Sequence, residues 1–239
     1  MKIALIGYGK MGKEIESIAI ERRHTVVLKT DVNNIHEFTC ANLQKADVAI
    51  EFTTPATAVA NLKTCFEAKI PVVCGTTGWL AHLNEVKQYC QNQGGGLFYA
   101  SNYSIGVNIF FDINRRLAKL MNGYAKDYRT SMEEIHHTAK KDAPSGTAIT
   151  LANDIIGEIA PLSKWVNSAS ASDSELPIVS VRQDPAPGTH IVKYTSVADE
   201  ITICHEAKNR TGFALGAVLA AEFMQGKKGF YGMQDLLQW

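Results

Sequence analysis

The sequence carries no surplus of either charge, no long apolar run and no paired cysteines, and each absence excludes a class of protein. Lys+Arg and Asp+Glu number 24 each in 239 residues. A chain that holds nucleic acid by neutralising phosphates needs a basic surplus, so no nucleic-acid partner is expected. No stretch approaches the roughly 20 consecutive apolar residues of a membrane span, so no membrane partner is expected either. The opening "MKIALIGYGKMG" breaks its apolar run at Gly7, too soon for the core of a secretory signal. The five cysteines (Cys40, Cys65, Cys74, Cys90, Cys204) are odd in number and scattered, with no C-x-x-C pair. That argues against a disulfide framework or a zinc cluster and for a reducing, cytoplasmic location.

What is there is an ordinary globular composition, 46% hydrophobic and 20% charged, with room for one large domain or two modest ones. "KIALIG" suits a buried parallel strand and runs directly into Gly7-Tyr8-Gly9-Lys10-Met11-Gly12, a G-x-G-x-x-G. A helix follows, with Met11, Ile15, Ile18 and Ala19 as its core stripe, and then "HTVVLKTD" reads as a second strand. This setting points to dinucleotide binding. Gly7 permits the tight turn, Gly9 lets the backbone approach a pyrophosphate, and Gly12 lets helix and strand pack closely. The helix N-terminus offers unpaired N–H groups to the phosphates. Asp31 closes the second strand nineteen residues beyond Gly12 and is expected to hold a ribose 2′-hydroxyl, favouring NADH over NADPH. Lys29 is close enough in sequence to reach round to a 2′-phosphate.

The strand–helix alternation continues through "ADVAIEFT", "IPVVCGTTG" and "GGLFYASN", the rhythm of a doubly wound, Rossmann-like parallel sheet. Ligands bind such sheets beyond the carboxyl ends of the strands. Phe52-Thr53, Gly75-Thr76-Thr77 and Ser101-Asn102-Tyr103 fall there and together are expected to form a wall of the nicotinamide pocket.

After Tyr103 the rhythm stops. "SIGVNIFFDINRRLAKLMNG" predicts a helix with Val107, Phe110, Phe111, Leu117 and Leu120 as apolar positions. "DYRTSMEEIHH" predicts a strand with two mixed faces, bordering a cleft or an interface rather than a dry core. The helix "SGTAITLANDIIGEIA" follows, capped by Ser145, whose start is a ready seat for a carboxylate. Residues 161–175 read as a surface loop. Later strands with short turns suggest antiparallel pairing, giving an α/β chain with a second, α+β mixed-sheet domain for substrate and oligomerisation. The division expected is 1–103 plus 210–239 for the nucleotide and 104–209 for the substrate. Arg210 and Phe213, at the return to the first domain, fit either a cleft lining or hinge packing.

"HHTAKKDAPSGTA", His136 to Ala148, concentrates titratable groups beside that anion seat. A histidine can give up a proton near neutral pH, as hydride addition beside a developing carbanion or enamine requires. Adjacent strand residues point opposite ways, so either the strand ends at Ile135 or one histidine stands behind the other. His136 is favoured as the acid, and the role of His137 stays open. No metal is expected: His136, His137, His190 and His205 show no zinc-like spacing. Asp142 is expected to shape the turn before Pro144, and Glu134 either to orient a neighbouring cation or to lie exposed.

This signature closely resembles that of the 4-hydroxy-tetrahydrodipicolinate (dihydrodipicolinate) reductases of lysine and diaminopimelate biosynthesis. "GYGKMG", "EFTTP", "GTTG", "SNYSIGVN", "FALGAVLAA" and "GFYGMQDLL" are similar to further family segments, so the likeness spans almost the whole chain. The resemblance implies reduction of a small cyclic dicarboxylate by NADH or NADPH with loss of water, in a homotetramer. It implies that His136 donates a proton, that Lys140 binds substrate and takes part in catalysis, and that His137, Ser145, Gly146 and Thr147 contact substrate. Val32 stands where some members carry an arginine after the acidic residue, a departure that tells against NADPH. Two rivals fit less well: another dehydrogenase of an amino-dicarboxylate, and a nucleotide-responsive regulator without turnover. The semialdehyde enzymes need a nucleophilic cysteine, and none lies beside the histidines. Nothing in the sequence points to a DNA-reading module for the regulator.

Overall fold

A computed structural model describes residues 1–209 and 211–238. The chain forms two compact units, 1–105 with 211–239 and 106–210.

In the first unit six strands form one parallel sheet: β1 (Lys2–Ile6), β2 (Thr25–Thr30), β3 (Val48–Glu51), β4 (Val72–Cys74), β5 (Gly96–Tyr99) and, from the chain's end, β11 (Gly229–Tyr231). The order β11-β5-β4-β3-β1-β2 puts a switch point between β1 and β3, where the chain's winding reverses. The inner strands β1, β3, β4 and β5 are buried almost throughout, because helices cover both faces, whereas the edge strands β2 and β11 are partly exposed. On one face α1 (Lys10–Glu21) and α7 (Thr211–Met224) bury Ile15, Ile18, Ala217 and Val218 against Ile3, Leu5 and Ile50. On the other, α2 (Cys40–Leu43), α3 (Pro55–Glu67) and α4 (Leu83–Gln93) bury Leu43, Leu62, Phe66 and Val86 against Ala4, Ile6 and Val72. The short α8 (Met233–Leu237) adds Met233 to the first face.

The second unit is a mixed sheet of order β10-β9-β6-β8-β7. Its strands are β6 (Arg129–His136), β7 (Lys164–Val166), β8 (Glu175–Arg182), β9 (Thr189–Thr195) and β10 (Glu200–Glu206). Helices α5 (Ile105–Met121) and α6 (Gly146–Glu158) cover one face, burying Phe110, Met121, Leu151 and Ile155 against Met132, Ile178, Val192 and Tyr194.

Four expectations need correction. β8 pairs parallel to both β6 and β7; only β9 with β6 and β10 with β9 are antiparallel. The 161–175 segment is not all loop, since Lys164–Val166 adds an edge strand against β8. Leu120 is 71% exposed and lies off the apolar stripe of its helix. The strand of the two histidines is central: its Thr130, Met132, Glu134 and His136 are all buried, so only one of its faces is half-open.

Candidate active site

The first unit carries its sequence-predicted residues at the carboxyl ends of β1 to β5, with the glycine loop and the β3 end at the switch point. Gly7 adopts φ +95°, and a Cβ there would stand 2.0 Å from the Phe52 carbonyl oxygen. A Cβ on Gly12 would stand 2.4 Å from the Gly7 oxygen. These two glycines let β1, α1 and the β3 end close on one another. Gly9 differs: a Cβ on it would meet no described atom within 4 Å, so the space above the loop is open. Gly9 caps α1 without a side-chain hydrogen bond, leaving the amides of Lys10, Met11 and Gly12 for an anion. An open cradle at a helix start fits a dinucleotide pyrophosphate.

Asp31 and Asn34 brace the loop after β2: Asn33 N donates to Asp31 Oδ1 (2.7 Å) and Asp31 N to Asn34 Oδ1 (2.8 Å). Val32 beside it is 89% exposed. Lys29 is turned to Glu16, 3.1 Å away, over the Tyr8 ring. The pocket-wall segments after β3 and β4 are joined, with Thr53 N donating to Thr76 Oγ1 at 2.7 Å. The Thr53 hydroxyl hydrogen-bonds the fully buried Glu51, a further polar anchor that sequence reading missed. Thr77 and Ser101 are exposed, and Asn102 Oδ1 accepts from Ser104 N at 2.9 Å. Tyr103 departs from the expectation of a wall residue. It is 2% exposed, its hydroxyl donates to the Cys74 carbonyl (2.7 Å), and its ring packs on Phe52 and Phe98. Its side chain belongs to the packing beneath the wall.

The second unit builds its site from strand alternation. Along β6 the buried face changes from Thr130 and Met132 to Glu134 and His136, and the neighbouring strands add His190 opposite Glu134 and Arg182 opposite His136. His205 on β10 pairs with His190, extending the polar row. Glu134 is fully buried. Its Oε1 accepts from Arg182 Nη2 at 3.0 Å and its Oε2 from Ser145 N at 3.0 Å. His136 Nδ1 stands 3.2 Å from the same Oε2, in ion-pair range though off the line of a good hydrogen bond. Burial alone would raise the Glu134 carboxyl, but contacts from His136, Ser145 and Arg182 outweigh it and hold the group well below the ordinary range. His190, 5% exposed, has its pKa pushed down to about 4, by burial first and then by the neighbouring His136, so it is neutral at physiological pH.

The strand runs to His136, so His136 and His137 point opposite ways. His136 is 7% exposed on the polar row; His137 lies beside Asp184, whose carboxyl is held low by Thr138 and by that histidine's charge. Ser145 caps α6, its Oγ accepting from Ala148 N (3.2 Å) and lying 3.0 Å from His190 Nε2. The hydroxyl, expected to meet a ligand, is thus occupied inside the protein and 3% exposed. The amides of Gly146 and Thr147, in the first turn, have no hydrogen-bond partner among the described residues. Lys140 donates to both oxygens of Asp142 at 2.8 Å, so Asp142 holds a cation as well as shaping the turn. Arg182 reaches the same turn, Nη2 to the Asp142 carbonyl at 2.6 Å. Arg210 lies outside the described residues, and Phe213 is half-buried in α7.

Glu134, His136 and His190 also bring three potential ligand atoms within 4.8 Å of one another, a grouping that sequence spacing hid. Both Glu134 oxygens already accept N–H groups, one from a guanidinium, which disfavours a cation in the same place. The set is read as an ion network.

Comparison with known proteins agrees with this architecture. A family model described as dihydrodipicolinate reductase, N-terminus, matches residues 1–103, and one described as its C-terminus matches 106–237. The 4-hydroxy-tetrahydrodipicolinate reductase of Christiangramia forsetii is 47% identical, covering 99% of this chain and 98% of that one. That of Neisseria meningitidis is 31% identical, over 93% and 83%. A solved structure, the dipicolinate-bound dihydrodipicolinate reductase of Paenisporosarcina sp. TG-14, shares the fold with TM-score 0.77 over 98% of each chain, at 22% identity.

Proposed function

The chain belongs to the dihydrodipicolinate reductase family, and from that premise we propose how its residues divide the work. It is a 4-hydroxy-tetrahydrodipicolinate reductase of lysine and diaminopimelate biosynthesis, an oxidoreductase that uses NAD(P)H.

In this reading the amides at the start of α1, with Gly7, Gly9 and Gly12 clearing their approach, hold the pyrophosphate. Phe52, Thr53, Gly75, Thr76 and Thr77 line the nicotinamide side, and the bound nucleotide supplies a hydride. Asp31 faces the adenosine ribose. A carboxylate there, with Val32 next to it and Lys29 held by Glu16, favours NADH, and the ratio of kcat/KM with NADH and NADPH tests this.

The substrate is a small cyclic dicarboxylate. One carboxylate is gripped by the Gly146 and Thr147 amides at the head of α6, which Ser145 fixes by capping. Lys140 supplies a point charge, exchanging Asp142 for substrate. His136 gives a proton to the carbon or nitrogen where hydride addition builds up negative charge, and His137 contributes from the loop side. The observation that carries this reading is the placement of a buried, carboxylate-flanked imidazole and a helix start on the same Glu134 oxygen.

The chain assembles with copies of itself as a homotetramer. The sheet face that α5 and α6 leave uncovered carries half-buried Ile135, Val179, Val181 and Ile191, which suits a second copy. A cytoplasmic location agrees with five free cysteines and a nicotinamide cofactor; no described helix is long and apolar enough to cross a membrane.

The test is oxidation of NADH or NADPH when enzymatically generated 4-hydroxy-tetrahydrodipicolinate is added. Turnover is expected, with pyridine-2,6-dicarboxylate competing as a planar mimic. Nucleotide binding without turnover would overturn the reading.

A further inference from the structure

We propose that Glu134 is a positioning residue, one buried carboxylate that sets both the charge and the orientation of His136 and ties that imidazole to the head of α6. The inference rests on the reading of His136 as the proton donor and adds a residue that acts through it.

A carboxylate is an expensive group to bury on the covered face of a central strand, where the two preceding inward positions are Thr130 and Met132. An ion pair with Arg182 satisfies it but gives no reason for its presence, since buried pairs are commonly no more stabilising than apolar residues of the same volume. What distinguishes the position is the second oxygen. Oε2 lies 3.2 Å from His136 Nδ1 and 3.0 Å from Ser145 N, so a single atom touches the candidate acid and the N-cap of the anion seat. The other edge of the ring is fixed as well. Gly188, before β9, presents a bare Cα to it, and a Cβ there would stand 3.0 Å from His136 Nε2. The imidazole is therefore held from both sides, with negative charge on its Nδ1 side.

The charged and titratable groups around it come from every packed element. Glu134 is on its own strand, His190 on β9 with His205 beyond it on β10, and Arg182 on β8 with Asp184 just after. Lys140 and Asp142 come from the loop before α6, and α5 contributes Phe110, against His205. His190 stands ring to ring with His136 at 5.1 Å, and as the neutral member it adds no charge at physiological pH. Arg182 and Lys140 bring positive charge to the cluster, and Glu134 is the anion within ion-pair range of the ring.

The experiment compares wild type with Glu134→Gln in the full-length protein, by the pH profile of kcat and by NMR titration of His136. With the carboxylate gone, the imidazolium loses its partner and the alkaline limb of kcat moves down by about one pH unit or more. That is a loss of roughly tenfold on the alkaline side with little change on the acid side. The NMR midpoint of His136 moves the same way. Should Glu134→Gln fail to fold around its unpaired Arg182, Arg182→Met and Glu134→Gln/Arg182→Met isolate the carboxylate, and the double variant has the lower midpoint. A uniform loss of kcat at every pH, or an unmoved His136 midpoint while His136→Gln is inactive, overturns this inference alone. Full turnover by His136→Gln overturns the reading beneath it.

Discussion

Replacing Arg182 with methionine is expected to destabilise the second unit by an amount that depends on pH in a defined direction. Glu134 is fully buried, and Arg182 is its one full cationic partner among the described residues, at 3.0 Å with 21% of the arginine side chain exposed. Removing one member of a buried pair costs about 3–5 kcal/mol because a charge is left uncompensated, and partial exposure of the guanidinium points to the lower end. The bond from Arg182 to the Asp142 carbonyl is lost too, at about 1 kcal/mol. The folded protein holds the Glu134 carboxyl below its ordinary value of 4.5. Such a group contributes stability that is complete above the unfolded value and is lost as pH falls through the folded one. The penalty of Arg182→Met should therefore be fully present at pH 7.5 and shrink as pH falls below about 4.5, where the variant, lacking the cation, protonates Glu134 more readily than wild type does. Urea unfolding followed by circular dichroism at pH 7.5 and pH 4 measures both. Equal midpoints at pH 7.5, or a gap that widens in acid, would refute the electrostatic account of this cluster.

Two further outcomes follow from the same geometry. Gly7→Ala must place a Cβ at φ +95° and 2.0 Å from the Phe52 oxygen. Strain on the order of 1–3 kcal/mol at the nucleotide loop predicts about ten- to hundredfold weaker NADH binding in a fluorescence titration, and unchanged binding would contradict the loop's assignment. His190 is held at a pKa of about 4 against an ordinary 6.5, so the unfolded chain takes up a proton that the folded one refuses. Stability should fall by up to about 3 kcal/mol as pH drops from 6.5 to 4, and His190→Gln should flatten that part of the curve; identical slopes would exclude it.

The first unit was largely legible because its signals are local. "KIALIG" before three spaced glycines, and an acidic residue closing the next strand, follow from chain geometry within about thirty residues. The β-α-β rhythm repeats the same information strand after strand. The second unit was legible as a motif and obscure as a site. His136, Lys140 and Ser145 stand out in one short stretch, but Arg182 and His190 reach Glu134 through cross-strand register, which no local pattern encodes. Glu134 itself was recoverable, because it lies two residues before His136 and must share its face. The parallel course of β8 was missed because short turns suggested hairpins, whereas the chain crosses from β6 through α6 before returning. A three-residue edge strand inside a Ser- and Ala-rich loop, Lys164–Val166, carries too little periodicity to find. Tyr103 was placed on the pocket wall from its neighbours; the aromatic ring, with Phe52, Phe98 and the Cys74 carbonyl to satisfy it, went to the core.

Paired measurements in His136→Gln and Lys140→Ala test the site most directly: steady-state turnover of 4-hydroxy-tetrahydrodipicolinate, and NADH binding in the absence of substrate. Turnover is expected to collapse in both variants while each binds NADH as wild type does. Wild-type turnover in either variant, or loss of nucleotide binding along with activity, would contradict the assignment of proton donation and substrate charge to the "HHTAKKDAPSGTA" segment.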